Sequence, residues 1–409
     1  MTKYRLGDVL TIIMDYRGKT PKKLGLDWTE DKNDIVALSA KNLKNGELIN
    51  LDKSHYGNSA LYNKWMKDGD ISVGDILMTS EAPLGELFLV DKPIKAILSQ
   101  RIFLLRPNNS IVLPWYLYFY MSSKNFQNRL NGHATGTTVI GIKQKELRNI
   151  EIELPSLSIQ KSIVRKLVPI SKKIEINKEI NDNLLKLAKT KFWQIYLLPT
   201  DEFKMVPNGW KIASFSKIMT FSNGHNFKSN EMLKKYEPLT YKVFKQGNIL
   251  IGGGLNELGT KSWIQKGKVT KLNKYVLKKW DLLMAMTDMK NKVAILGNTA
   301  LMNCSNQYIL NQRVGLIRSN NYNGTSPAYL FLLTNSKPFL HSIRSKAHSG
   351  VQVNLSSKEI RDTDVIIAPK NVNDGFNTFV KPIFDRIMVN QLENLTLNEL
   401  KQTLLNRLF

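Results

Sequence analysis

Five histidines (His55, His133, His225, His341 and His348) and one cysteine, Cys304, are the residues of this 409-residue chain best suited to metal or nucleophilic chemistry. No histidine falls in an HExxH or similar ligand spacing. Cys304 lies in LMNCSNQ with no histidine near it to activate the thiol, and reads as a buried structural residue. The glycine-rich IGGGLNELG at 251–259 follows a strand-like run, but it lacks GxGxxG spacing and the lysine of a phosphate loop. It reads as a tight loop between strands. The D/N/S-P-P-Y/F tetrapeptide with which an amino-methyltransferase grips a flipped base does not occur, nor does an acidic cluster with a following lysine as in nucleases. The residues therefore propose no catalytic group, no metal ligand and no bound cofactor.

Binding chemistry is better supplied. Lys+Arg number 59 against 34 Asp+Glu, a net charge of +25, which predicts a polyanionic partner, most often nucleic acid. Reading a duplex takes hydrogen-bonding side chains for base edges and cations for phosphates. In the first half, Lys19, Thr20, Lys22 and Lys23 follow Gly18, then come Lys41 and Asn42, and then Thr79, Ser80 and Glu81. The small polar loop with His133, Thr135 and Thr137 suits close approach to a backbone. In the second half the candidates are Lys228 and Ser229, then Thr287, Asp288 and Lys290, then Lys346, His348, Ser349 and Gln352. Glu81 and Asp288 have the chemistry to accept from cytosine. Gln100, Arg101, Gln312 and Arg313 recur in both halves. Residues that read different sequences should differ between copies, so these four are assigned to the scaffold.

The elements that must position these residues come in duplicate. GDILMTSEAPLGELFLV at 74–90 matches WDLLMAMTDMKNKVAIL at 280–296, with Asp75, Leu77 and Met78 on Asp281, Leu283 and Met284. Gln100, Arg101 and Arg106 fall on Gln312, Arg313 and Arg318, and Pro114, Tyr116 and Leu117 on Pro327, Tyr329 and Leu330. A collinear series with offsets of 206 to 213 means two copies of one ~200-residue unit. In each copy, short β-branched runs bounded by Gly, Asn and Pro predict strands. A helical patch interrupts them, and after Pro155 or Pro369 the pattern turns helical. The expected fold class is α+β: recognition domains at 1–155 and 201–369, each followed by a long helix, at 156–200 and 370–409. The net charges of these four segments are +4, +14, +6 and +1 for 1–155, 201–369, 156–200 and 370–409 respectively.

Both helices carry a seam of alternating four- and three-residue spacing. Its first copy includes Ile163, Leu167, Ile174, Asn177, Asn181 and Leu184, and its second Ile387, Asn390, Asn394, Leu397, Leu404 and Leu408. An antiparallel register whose numbers sum to 571 matches Asn177 with Asn394 and Asn181 with Asn390. The same register matches Ile163 with Leu408, Leu167 with Leu404, Ile174 with Leu397, and Leu184 with Ile387. A buried amide without a partner costs ~1–3 kcal/mol, so slipped registers are penalised. Pseudo-twofold symmetry favours this antiparallel coiled coil. A parallel pairing, or two separate helices with surface asparagines, remains open at this point. Pro169 and Pro382 should kink or interrupt the helices.

MTKYRLGDVL lacks a basic n-region followed by an apolar h-region, so no signal peptide is expected, and IVLPWYLYFYM is too short to span a bilayer. The expectation is a cytoplasmic protein without membrane contact. One cysteine excludes a disulfide-stapled secreted fold.

The arrangement resembles the specificity (S) subunit of type I restriction-modification systems over the whole chain. Local phrases carry the likeness: PNGWK at 207–211, SQR and NQR after the mid-domain strands, HATGTTVIGIKQKELRNIEIELP at 133–155, and Pro155 to Gln160 as a P-x-x-x-x-Q helix start. The second copy has Asp374 and Gly375 there and departs from the pattern. The resemblance implies a non-catalytic subunit that binds a bipartite site in double-stranded DNA, one half per domain. It implies two methyltransferase (M) subunits, which bind S-adenosylmethionine, and restriction (R) subunits as partners. A helix of ~35 residues is ~50 Å long, which suits it to act as a ruler between half-sites. The alternatives are the recognition part of a DNA methyltransferase or nuclease enzyme, and a basic RNA-binding protein.

Overall fold

The structure, a computed structural model, describes residues 1–136, 138–289, 293–349 and 352–409, with only the backbone of Ser349. Thr137 and Lys290 lie outside the described residues. Two compact units result: residues 1–174 with 396–409, and residues 175–395.

The first unit is built on a four-stranded antiparallel sheet. Its spatial order is Leu10–Asp15, Ile102–Pro107, Ile76–Thr79, Leu87–Leu89. The two inner strands are continuous apolar runs because both of their faces are covered. Alternate residues serve different cores, as strand periodicity requires. Ile76, Met78, Phe103 and Leu105 pack with the helix Pro114–Ser122. Leu77, Ile102 and Leu104 pack with Trp65 and a second, mixed sheet. That sheet runs His55–Gly57, Ile35–Leu38, Ile97–Leu98, the last pair parallel. Thr2–Arg5 pairs with Glu151–Leu154.

The second unit repeats the plan. Its four-stranded sheet is Met219–Asn223, Val314–Ser319, Leu282–Ala285, Thr299–Leu301. Leu282 and Met284 enter one core, and Leu283 and Ala285 the other. Trp263–Gln265, Thr240–Phe244 and Tyr308–Leu310 form the mixed sheet, and Lys211–Ser214 pairs with Asp364–Ile367. One element is extended: the bridges Glu81–Gly141 and Thr135–Gly141 of the first unit become a three-stranded sheet of Thr287–Met289, Gln352–Asn354 and His348–Ser349.

The long helices are Leu157–Phe192 and Lys370–Leu408, and both run through their prolines without the expected break. A buried amide in the first turn fastens each to its unit. Gln160 Nε2 donates to the Ile111 and Pro155 carbonyls, at 3.0 Å each. Asn373 Nδ2 donates to the Asn323 and Ala368 carbonyls, at 2.8 and 3.3 Å. The second copy thus keeps the device with a shorter side chain, one residue before Asp374 and Gly375.

Within the first unit, Ile163, Leu167 and Leu405 share one core, with Leu404, Leu408 and Phe409 packed on it. Ile174 is buried and Leu397 half-buried. Within the second, Asn177 Nδ2 donates to Asn394 Oδ1 at 2.9 Å, and Asn390 Nδ2 to Asn181 Oδ1 at 2.8 Å. Numbers rise in one helix as they fall in the other, so the helices are antiparallel. Leu184 and Ile387 belong to one core there. Asn177 and Asn390 are fully buried, which removes the reading of surface asparagines. Among the described residues, no helix is long and apolar enough to cross a membrane.

Candidate nucleic-acid interface

In the first unit three separate loops meet at the turn before strand Ile102–Pro107. The Ser80 N–H donates to the Arg101 carbonyl at 2.9 Å, and the Ile142 N–H to the Ser80 carbonyl at 3.0 Å. Thr135 and Gly141 exchange two backbone hydrogen bonds and close the polar loop. Gln100 Nε2 reaches the Lys19 carbonyl at 3.4 Å and ties in the segment after Gly18. Arg101 stands exposed at the centre with φ of 71°, and its Nε lies 2.7 Å from Glu81 Oε1. His133 and Thr135 are exposed at the rim, with His133 Nδ1 3.8 Å from Glu146.

The second unit makes the same junction. The Met286 N–H donates to the Arg313 carbonyl at 3.4 Å, and the Leu355 N–H to the Met286 carbonyl at 2.9 Å. Arg313 is exposed. No carboxylate partner is found for it among the described residues, because Thr287 occupies the place of Glu81. The three-stranded sheet, where the first unit has the Glu81–Gly141 and Thr135–Gly141 bridges, brings Thr287, Asp288, His348 and Gln352 together.

Several candidates turn inward. Asn42 is buried: its Oδ1 accepts from the Ser39 N–H at 2.9 Å, and its Nδ2 donates to Ser54 Oγ at 2.9 Å. Thr79 and Ser80 are buried, and Thr79 Oγ1 accepts from the Glu86 N–H. Lys19 donates to the Trp65 carbonyl and lies over the Tyr16 ring, where burial pulls its pKa down. Asp288 Oδ2 accepts from the backbone of Ala294, Ile295 and Leu296 at 2.6 to 3.1 Å, so it organises its loop. Thr287 Oγ1 bonds Gln246 at 2.9 Å, and Lys346 reaches Thr363 Oγ1 at 3.3 Å. Lys23 holds the Gly18 carbonyl and His348 lies 2.7 Å from Glu359, yet both are exposed. Lys22, Lys41, Lys228 and Ser229 are exposed, Thr20 and Gln352 half-buried. Recurrence in both copies assigns Arg101 and Arg313 to the scaffold, and both do brace the junction through their carbonyls. Phosphate contacts carry no sequence information, so they too should repeat. Their exposure is what the sequence did not show.

The model of the type I restriction modification DNA specificity domain matches residues 1–186 and 207–408. The chain belongs to the type I restriction-modification specificity family. It is 24% identical over 411 residues to the MjaIX type I restriction enzyme specificity subunit of Methanocaldococcus jannaschii, covering 96% of this chain and 89% of that one. It is 26% identical over 257 residues to the MjaVIII specificity subunit of the same organism, covering 60% and 57%. The crystal structure of a type I restriction-modification S subunit from M. genitalium matches with a TM-score of 0.59 at 15% identity, over 100% of this chain and 96% of that one. That likeness shows the fold. In this specificity subunit the two matched regions hold the two target-recognition domains. No group of three His, Cys, Asp or Glu placed to hold a metal ion occurs among its described residues.

Proposed function

We propose that this chain gives a type I restriction-modification complex its DNA sequence, each unit reading one half of a bipartite duplex target. One observation carries the reading. The two junctions share a backbone frame and a central exposed arginine, while the side chains around them differ: Glu81, His133 and Thr135 in one, and the sheet bearing His348 and Gln352 in the other. A common frame with a common cation suits phosphate positioning, and a variable rim suits base readout. The subunit is non-catalytic. It docks two methyltransferase subunits, which bring S-adenosylmethionine, and restriction subunits join that assembly in the cytoplasm.

The test is co-expression with the methyltransferase subunit encoded beside it, followed by single-base mapping of adenine methylation. Methylation at a split motif, two specific halves with a fixed gap, is the expected result. Methylation at one continuous motif would overturn the one-half-per-unit reading. Binding to single-stranded RNA without preference for duplex DNA would overturn the reading altogether.

A further inference from the structure

Much of the second unit's charge excess has one address. Residues 258–280, LGTKSWIQKGKVTKLNKYVLKKW, hold seven lysines and no acidic residue. The counterpart at 52–74, DKSHYGNSALYNKWMKDGDISVG, holds three lysines balanced by three aspartates. The two segments occupy the same place in the fold. Each follows the outer strand of the mixed sheet: Ser59–Trp65 as an α-helix after His55–Gly57, and Lys266–Tyr275 as 3₁₀ turns after Trp263–Gln265.

The local structure sorts side chains in threes. Val269 is buried, and Leu272 and Tyr275 pack on the core of Phe227, Val243, Ile264 and Ile309. Val269 and Leu272 depart from helical φ/ψ, so the run is a series of turns pinned at these apolar residues. Lys268, Lys271 and Lys274 each precede one of the pins and are exposed. The three lysines recur at every third position, one in each successive turn, and Lys274 also lies over the Tyr275 ring. None of the three has a carboxylate partner among the described residues. Like charges in such a row repel one another, and a polyanion relieves that repulsion. One DNA strand carries a phosphate every ~3.4 Å of axis, so lysines in successive turns can meet different phosphates of one backbone.

We propose that Lys268, Lys271 and Lys274 form a phosphate-backbone clamp that the second unit carries and the first lacks. The inference rests on the DNA-reading function above. It makes the second unit the electrostatic anchor of the subunit, with a grip that does not depend on base sequence.

The experiment compares the full chain with K268Q/K271Q/K274Q, measuring affinity for a 40-bp duplex by fluorescence anisotropy across a salt series. Each lost phosphate contact lowers the slope of log K against log salt by about 1, so the slope should fall by about 3, equally on random and target sequences. A charge-matched control is K204Q/K370Q/K381Q, whose lysines are already paired with Asp201, Asp374 and Asp385. Its slope should hardly change. An unchanged slope in the first variant, at unchanged melting temperature, overturns the clamp. So does an equal fall in the control, which would mean net charge alone. Normal DNA binding with loss of a co-purifying methyltransferase subunit would make the row a protein-docking face and also overturn it. A wild-type chain that does not prefer duplex DNA refutes the DNA-reading function instead.

Discussion

Arg318 holds Asp281 through two parallel hydrogen bonds, Nε to Oδ1 at 2.6 Å and Nη2 to Oδ2 at 2.8 Å. Arg106 holds Asp75 the same way, at 2.8 and 2.7 Å. Both carboxylates are buried, and each also accepts a backbone N–H, from Lys278 and Ser72 respectively. The pair welds the strand that begins one residue after the aspartate to its neighbour in the central sheet. The carboxylate raises the pKa of each guanidinium through these hydrogen bonds.

Removing the two partners should not cost the same. Arg318→Met leaves a buried carboxylate with only its backbone donor, at a cost of about 3 kcal/mol. Asp281→Asn leaves a partly exposed guanidinium that water can solvate, and should cost about 1 kcal/mol. Urea unfolding of the two variants checks the order. A larger loss from Asp281→Asn would contradict it.

The asparagine seam gives a second expectation. Asn177→Leu removes the donor to Asn394 and to Glu393 Oε2, 2.7 Å away, inside a packed helix pair. The second unit should lose about 1–2 kcal/mol. Asn128→Leu, at an exposed position, should stay within ~0.5 kcal/mol of the parent. Thermal melts that show equal losses would refute the seam's contribution.

The two central arginines should differ in strength. Arg313→Gln should lower the salt slope of duplex binding by about 1 on any sequence. Arg101→Gln should lower it less, because Glu81 already lies against that guanidinium. Glu81→Gln should raise the slope by releasing Arg101. Anisotropy titrations over salt separate the three variants, and identical slopes for Arg101→Gln and Arg313→Gln would count against the account.

A pH expectation comes from Glu257. Burial pushes its carboxyl up to about 7, although Asn303 Nδ2 donates to Oε1 at 2.6 Å and Lys242 is near. The folded state therefore holds the proton more tightly than the unfolded one. The stability this confers is full below the unfolded value, near 4.5, and is lost as pH rises to about 7. Glu257→Gln keeps an acceptor for Asn303 and should flatten that decline. Melting temperatures at pH 5 and pH 8 provide the measurement, and a variant that declines as steeply as the parent would exclude this role.

The duplication, the strands and the seam were legible because each is periodic. Strand residues alternate between two cores, and the seam repeats every three and four positions. The rim was less legible. Asn42 and Asp288 have the composition of base readers, but short polar side chains in tight turns also bond their own backbone. A signal was available for Asn42: Asn248 stands 206 residues later, accepts from the Lys245 N–H at 2.9 Å, and donates to Thr260 as Asn42 does to Ser54. The strand Thr287–Met289 was hidden by its brevity. Asn373 was hidden because an amide one methylene shorter than Gln160 does the same work.

The first unit is translated first and finished last. Residues 1–174 are synthesised before 175–395, and the core of their unit is closed by Leu405 and by Phe409, whose ring lies 5.4 Å from Tyr116 and 5.7 Å from Tyr120. At 5–20 residues per second that interval is roughly 10–40 s. Through it the face of Tyr116 and Tyr120 that Phe409 covers is without that contact. A stalled or truncated product keeps that face open, so closure of the first unit reports that the second has been synthesised.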